Sequence, residues 1–531
     1  MEKRWGITKK VWIPVALAVV AVVVFVLVAT LMVVPGGDRT AVLDLTLQPG
    51  TDATAMGFNW YSVHDPQGGV TVVRLAPVSD PNSALIVTGT VGNAVMGKSW
   101  HKAEVSGLSP NTEYSYSVSN DGKVFSDVYT FWTGGSGDFQ FVAVGDPQVT
   151  LGKQNSDSLW PDPVVSSAQG WQDTLDKISQ VAPNARFMAG TGDQVNAKPI
   201  TLVGQLIAER EYGEYFAPAQ LRSLPVAPAV GNHELGMGLL PGSATADFNW
   251  HFNLPNEDTS NPDLRGDYWY SYNNCLFVVL NTAFYPKNEA QVATLIAEYD
   301  KVLAQATAAY PHAKWLFVQH HKSTTLPSFK WSDRDVALYA PQFNALMDKY
   351  HVDFVLAGHK HVYTRSWFLK GGQVVGDTGD GTDAGASAAG SADAAGSAAG
   401  SADAAAGAGD AGAGGTVGVD SATDPGGTLY FTLNSASGGK YYGLPSKGPG
   451  LWFPTGNVSG PLWVDAAPGE MLSEGKSGVA NGTGKPWCTA IGLEIKVPQF
   501  TVVDVTDSSV TFKTYRCDTL EVIDQYTVNK S

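Results

Sequence analysis

Phe354-Val355-Leu356-Ala357-Gly358-His359-Lys360-His361 is a buried-strand pattern that runs without interruption into two histidines spaced two apart. Four other segments repeat the arrangement. Phe139 to Val144 leads to Asp146 and Gln148, Phe187 to Ala189 to Asp193 and Asn196, Pro225 to Val230 to Asn232 and His233, and Trp315 to Val318 to His320 and His321. Short apolar runs bounded by glycine and polar residues read as strands buried on both faces. Ligand-type side chains at the ends of successive strands converge on one rim of an open α/β sheet. Carboxylate, amide and imidazole donors gathered there suit a pair of divalent cations, and paired cations suit phosphoryl chemistry.

Helical periodicity alternates with these strands. Trp171, Leu175, Ile178 and Val181 fall on one face, as do Val292, Leu295, Ile296, Tyr299 and Leu303, and again Phe343, Leu346, Met347 and Tyr350. Alternation of strand and helix predicts an α/β domain over 138–531. A Gly, Ala, Ser and Asp tract at 379–415, in which the hexapeptide starting at Gly390 recurs at Gly400, offers nothing large to bury and is expected to be a disordered insertion within that domain. Upstream, 42–134 is rich in short strands and turn residues. Tyr114-Ser115-Tyr116-Ser117-Val118 alternates cleanly, predicting a strand of an all-β domain, and the stretch from Gly107 to Val118 resembles the late strand of a fibronectin type III sandwich of the immunoglobulin-like kind.

The N-terminus reads as an address. Lys3, Arg4, Lys9 and Lys10 form a basic segment, 1–10, before an uncharged apolar stretch at 11–34. That stretch is long enough to cross the roughly 30 Å hydrocarbon layer as a helix. The expectation is an uncleaved single-pass signal anchor with the catalytic domain extracytoplasmic; the alternative is a secreted protein after signal cleavage. The net charge of −16 argues against nucleic acid as a partner. Three cysteines, Cys275, Cys488 and Cys517, give no zinc-type pair, and Cys488 with Cys517 is a candidate disulfide in an oxidising compartment.

Taken in order, Gly145-Asp146, Gly192-Asp193, Gly231-Asn232-His233-Glu234, Val318-Gln319-His320 and Gly358-His359-Lys360-His361-Val362-Tyr363-Thr364-Arg365-Ser366 resemble the calcineurin-like metallophosphoesterase superfamily, its purple acid phosphatase branch in particular. The resemblance implies a four-layer α/β/β/α fold behind the β-sandwich. It also implies two metal ions (Fe, Mn or Zn) and hydrolysis of phosphate esters by a metal-bound hydroxide. By the family pattern Asp193 bridges, Asp146 and His361 hold one ion, and Asn232, His320 and His359 hold the other. By the same resemblance His233 is the expected catalytic residue, facing the substrate to protonate the leaving oxygen or stabilise the transition state. His321, Tyr363 and Arg365 are candidates for substrate contact, and Gln148 and Asn196 for a ligand or supporting role. Two departures stand out: Gln148 replaces a histidine, and Asn196 replaces the tyrosine that colours purple enzymes. A phosphomonoester is the expected substrate; a phosphodiesterase or nucleotidase on the same core, or an inactive surface-binding protein, are the alternatives.

Overall fold

The computed structural model describes residues 38–63, 69–151, 166–236, 238, 244–325, 334–375, 420–444, 463–464, 471–473 and 485–531. The expected anchor at 11–34 and the insertion at 379–415 lie outside the described residues. Among those described, no helix is long and apolar enough to cross a membrane.

Two four-stranded sheets make up the N-terminal region. One has the order Leu43–Pro49, Met56–Val63, Lys98–Val105, Thr90–Asn93, and the other Leu85–Thr88, Val72–Pro77, Glu113–Ser119, Tyr129–Trp132. Alternate side chains point to opposite faces of a strand, so Phe58, Trp60, Val73, Leu75, Tyr116, Val118 and Phe131 meet in one core. His101 sits inside it, stacked on Trp60 and hydrogen-bonded to Ser62 Oγ and Thr71 Oγ1, each at 2.9 Å.

Beyond residue 138 the chain is α/β. A seven-stranded sheet runs Val226–Pro228, Met188–Gly190, Phe139–Val144, Gln499–Val505, Ser509–Arg516, Val522–Asn529, Ser421–Thr423. A nine-stranded sheet is built around the parallel strands Cys275–Leu280, Trp315–Lys322, Phe354–Gly358 and Thr428–Thr432. The sheets face each other through aromatic rings: Phe141 meets Phe277 and Phe317, and Phe512 meets Phe354 and Phe431, with centroids 4.4–5.4 Å apart. Helices α1 (Ser167–Val181) and α2 (Leu202–Phe216) contribute Trp171, Leu175, Ile178, Tyr212 and Phe216 to the core beside the first sheet. Helices α4 (Glu289–Ala309) and α5 (Arg334–Lys349) cover the second, and the short α3 (Ala246–His251) lies between α2 and α4 in the chain. The three helices with an apolar stripe fall where periodicity predicts. Helix α2 was not legible, because it buries Glu209 and Glu211 while Leu202, Val203 and Ile207 face outward.

The sandwich is joined to the α/β domain by buried polar contacts. Lys102 Nζ donates to the carbonyls of Asn249 and Phe252, at the end of α3, and burial pushes its pKa down to about 8. Asn59 Nδ2 donates to Trp250 O at 2.9 Å, Tyr116 Oη to Arg222 O at 2.7 Å, and Asn253 Nδ2 to Ala103 O at 2.9 Å. Glu209 on α2 lies 3.1 Å from His251 Nε2 and 3.9 Å from Lys98 Nζ of the sandwich. All three cysteines are free and buried, which corrects the candidate disulfide. Cys488 donates to Thr325 O in one core cluster, while Cys517 contacts Thr174 Oγ1 in the other.

Burial lowers the pKa of His101 from 6.5 to about 4. A depressed folded-state value leaves stability intact above 6.5 and erodes it as pH falls, by about 1.4 kcal/mol per unit, until the folded group itself protonates. The sandwich is therefore expected to lose about 2 kcal/mol from this residue between pH 6.5 and 5. Urea unfolding at the two pH values, with His101→Gln as the variant that lacks the slope, measures it.

Candidate metal centre

The strand ends do converge. Asp146 leaves Phe139–Val144 fully buried, and its carboxylate accepts the His359 backbone N–H at 2.7 and 3.0 Å, tying the first ligand turn to the last. Gly358 makes that approach possible: a Cβ there would lie 2.7 Å from Asp146 Oδ2. Gly231 plays the same part on the other side, where a Cβ would fall 2.2 Å from Asp193 Oδ1. Gln148, Asp193, His359 and His361 all have positive φ. Left-handed backbone at four non-glycine residues of the same turns is the strain that collects at functional sites.

Two ligand groups emerge, Asp146 with Asp193 and His361, and Asp193 with His321 and His359, each with its ligand atoms within 4.8 Å of one another. Asp193 belongs to both, as a bridging carboxylate must. His321 Nδ1 donates to Thr191 O at 2.8 Å, which turns Nε2 inward to within 3.1 Å of Asn232 Oδ1, 3.1 Å of His359 Nδ1 and 3.3 Å of Asp193 Oδ1. His361 is oriented the same way: Nδ1 donates to Lys440 O at 2.9 Å and Nε2 lies 4.0 Å from Asp146 Oδ1.

One expected ligand is replaced. Adjacent strand residues face opposite ways, and it is His321, not His320, that faces the cluster. His320 is buried on the other face, edge-on to Phe343, with Nδ1 3.4 Å from Thr282 Oγ1. The substrate role foreseen for Tyr363 and Arg365 also fails: both are buried, and both donate to Asp524 at 2.7 and 2.8 Å as core polar groups. Gln148 Nε2 donates to Asp193 Oδ2 at 3.3 Å, leaving Oε1 buried without a partner. Asn196 takes part through its backbone, its carbonyl accepting from His233 Nδ1. His233 is partly exposed; its N–H donates to Asp193 Oδ1 at 2.9 Å and its Nε2 lies 3.9 Å from Asp193 Oδ2.

Sequence reasoning gave Glu234 no role. Its buried carboxylate accepts from Gly231 N at 2.7 Å, Asp193 N at 2.9 Å, Gln194 N at 2.8 Å and Val195 N at 3.3 Å. It thereby clamps the third ligand turn to the second. The signal available in the sequence is its place directly after Asn232 and His233 in a glycine-bounded turn.

The electrostatics suit cations. Burial raises the Asp146 carboxyl to about 7. Burial would raise Asp193 too, but His321 and His233 outweigh it and hold that group well below the ordinary range. His321 in turn is held up at about 9 by Asp193, against its burial. Burial drives His359 and His361 well below their usual values, so they present neutral nitrogen lone pairs. Buried carboxylates, the neutral imidazoles of His359 and His361 and the orphaned Gln148 oxygen form a donor set that two divalent ions would satisfy, and His321 would join it by exchanging its Nε2 proton for a cation.

Residues 139–363 match the calcineurin-like phosphoesterase family model, and residues 42–133 match the N-terminal domain of purple acid phosphatases. The α/β region is thus similar to the calcineurin-like phosphoesterases over the residues that model covers, and the β-sandwich to the companion domain of purple acid phosphatases. It is 26% identical over 345 residues to the uncharacterized proteins Rv2577 and MT2654 of two Mycobacterium tuberculosis strains, and spans about 62% of their length. Its fold is similar to that of purple acid phosphatase PPD1 from yellow lupin (Lupinus luteus) seeds, with TM-score 0.61 and 16% identity over 93% of this chain and 75% of that one. It is also similar to PhoD, with TM-score 0.54 and 10% identity over 94% of each chain.

The two histidines separate cleanly in a metal analysis. His321→Ala is expected to lose at least one ion per chain. His320→Ala should keep its metal and lose about 2–3 kcal/mol of stability through the cavity it opens. Elemental analysis with thermal unfolding of both variants decides the assignment.

Proposed function

We propose that this phosphoesterase hydrolyses phosphate esters at a dinuclear centre, with phosphomonoesters as the substrate class, on the extracytoplasmic side of a membrane to which residues 11–34 anchor it. The observation that carries the reading is the pair of ligand groups sharing Asp193, with His233 at their exposed edge. In this reading Asp146, Gln148 and His361 hold one ion, and Asn232, His321 and His359 the other. Iron, manganese and zinc all suit these donors. Cations so placed neutralise phosphate oxygens and bring the pKa of water down to near 7.

The chain's own residues do the rest. The Asn196 carbonyl fixes the proton of His233 on Nδ1, so Nε2 is the nitrogen that exchanges a proton with the ester oxygen as it departs. Burial lowers the His233 pKa to about 4, and Asp193, 3.9 Å from that nitrogen, pulls the other way by favouring the imidazolium that the proton transfer needs. The turns that carry Gln148, Asn232 and His359 are fixed by backbone hydrogen bonds and by Glu234, so the donors are in place before substrate arrives. Asn196 supplies no phenolate, in keeping with a site that is not purple. The net charge of −16 supports a small anionic ester rather than nucleic acid, because the attraction is confined to the cation site.

Purified protein is expected to carry about two ions per chain and to release phosphate from a monoester such as p-nitrophenyl phosphate at least tenfold faster than it cleaves bis-p-nitrophenyl phosphate. Equal or faster diester turnover would reassign the substrate class. Metal-free, inactive protein would remove the enzymatic reading. Deleting residues 1–37 should move the protein from the membrane fraction to the soluble one with its turnover unchanged.

A further inference from the structure

Helix α2 sends a second acidic residue inward. Glu211 is buried, and its Oε2 accepts the backbone N–H groups of Asn196 at 3.0 Å and Ala197 at 2.6 Å. The same carboxylate is hydrogen-bonded by the Leu151 N–H and the Thr150 side chain. It therefore joins the turn that follows Gln148 to the turn that follows Asp193, and none of the ligand contacts uses it. What the second turn delivers is a carbonyl. Asn196 O accepts from His233 Nδ1. A carboxylate bonded to the Asn196 N–H and to the next N–H along fixes the peptide plane that carries this oxygen, and with it the direction in which the imidazole points.

We propose that Glu211 is the positioning residue for His233: through the 196–197 backbone it keeps Nδ1–H on the Asn196 carbonyl, so that Nε2, which carries the second proton of the imidazolium and gives it up as the P–O bond breaks, is turned toward the leaving oxygen. This rests on the reading of His233 as the group that protonates that oxygen. The position that holds a tyrosine ligand in purple enzymes is used here as a backbone acceptor, supported from α2 rather than by a metal. A carboxylate suits this place because one oxygen takes both the Ala197 N–H and the Asn196 N–H, the latter shared with Val149 O at 2.9 Å. A glutamine at 211 keeps the volume, and its one oxygen can still take the Asn196 and Ala197 N–H groups that both meet Oε2, but its NH2 group would then replace the second carboxylate oxygen beside the Leu151 N–H and the Thr150 side chain.

The experiment compares wild type, Glu211→Gln, Glu211→Asp, His233→Ala and the Glu211→Gln/His233→Ala double variant on two monoesters. One is an alkyl phosphate, whose leaving group needs a proton, and the other is p-nitrophenyl phosphate, whose leaving group does not. Expected for Glu211→Gln is a loss of about 10- to 100-fold in kcat on the alkyl ester and under about threefold on the aryl ester. KM and metal content should be unchanged, and the double variant should be no worse than His233→Ala alone. Partial recovery in Glu211→Asp, which keeps the charge, is also expected. Equal losses on both esters, loss of metal, or additive losses in the double variant would overturn the proposal and leave Glu211 a structural residue. A readout free of turnover uses metal-free protein labelled with 15N-histidine. The His233 ring signals, identified by their absence in His233→Ala, should report one Nδ1–H tautomer in wild type and a tautomer mixture in Glu211→Gln. Identical signals in the two proteins would overturn the proposal even if turnover falls. A tautomer change in a protein that hydrolyses no ester would keep the positioning and discard the phosphatase reading.

Discussion

The site is organised around one buried carboxylate. Asp193 has its backbone N–H bound by Glu234, while its side-chain oxygens meet the His233 N–H, Gln148 Nε2 and His321 Nε2. A carboxylate with 1% of its surface exposed is tolerated only when surrounded by donors or cations. Each neighbouring turn supplies one of these, so every turn must reach the same point. The close approach of Gly192 and Gly231 and the left-handed conformation of Asp193 itself follow from that requirement.

Much of this was legible in the chain because strand ends are easy to read. A run such as Phe139 to Val144 declares burial by composition, and a ligand one or two residues later has little freedom in where it can go. The aromatic layer between the sheets, and the apolar stripes on α1, α4 and α5, come from the same kind of signal. What composition cannot show is which of two adjacent histidines faces inward. His320 and His321 differ only in the parity of the strand, and parity is set by the pairing of Trp315–Lys322 with its neighbours. Order alone pointed to His320.

The other illegible features are buried acids. Glu209, Glu211 and Glu234 carry no periodic signal, and as charged residues they would be assigned to the surface. Each is placed by backbone or side-chain donors from segments distant in the sequence, a relation that exists only once the turns have formed. Tyr363 and Arg365 mislead in the opposite direction. Lying just past a ligand motif, they look like phosphate contacts, yet their strand carries them into the core to pair with Asp524.

Helix α2 faces both ways. Within three consecutive positions it offers Glu209 to Lys98 and His251 at the sandwich seam and Glu211 to the turn beneath His233. A recombination event that kept the α/β half and exchanged the β half for an unrelated module would strand Glu209 without its lysine, one helical turn or less from the catalytic apparatus. The β half, which supplies none of the ligand groups found among the described residues, therefore still grips the helix whose next inward acid props up the site.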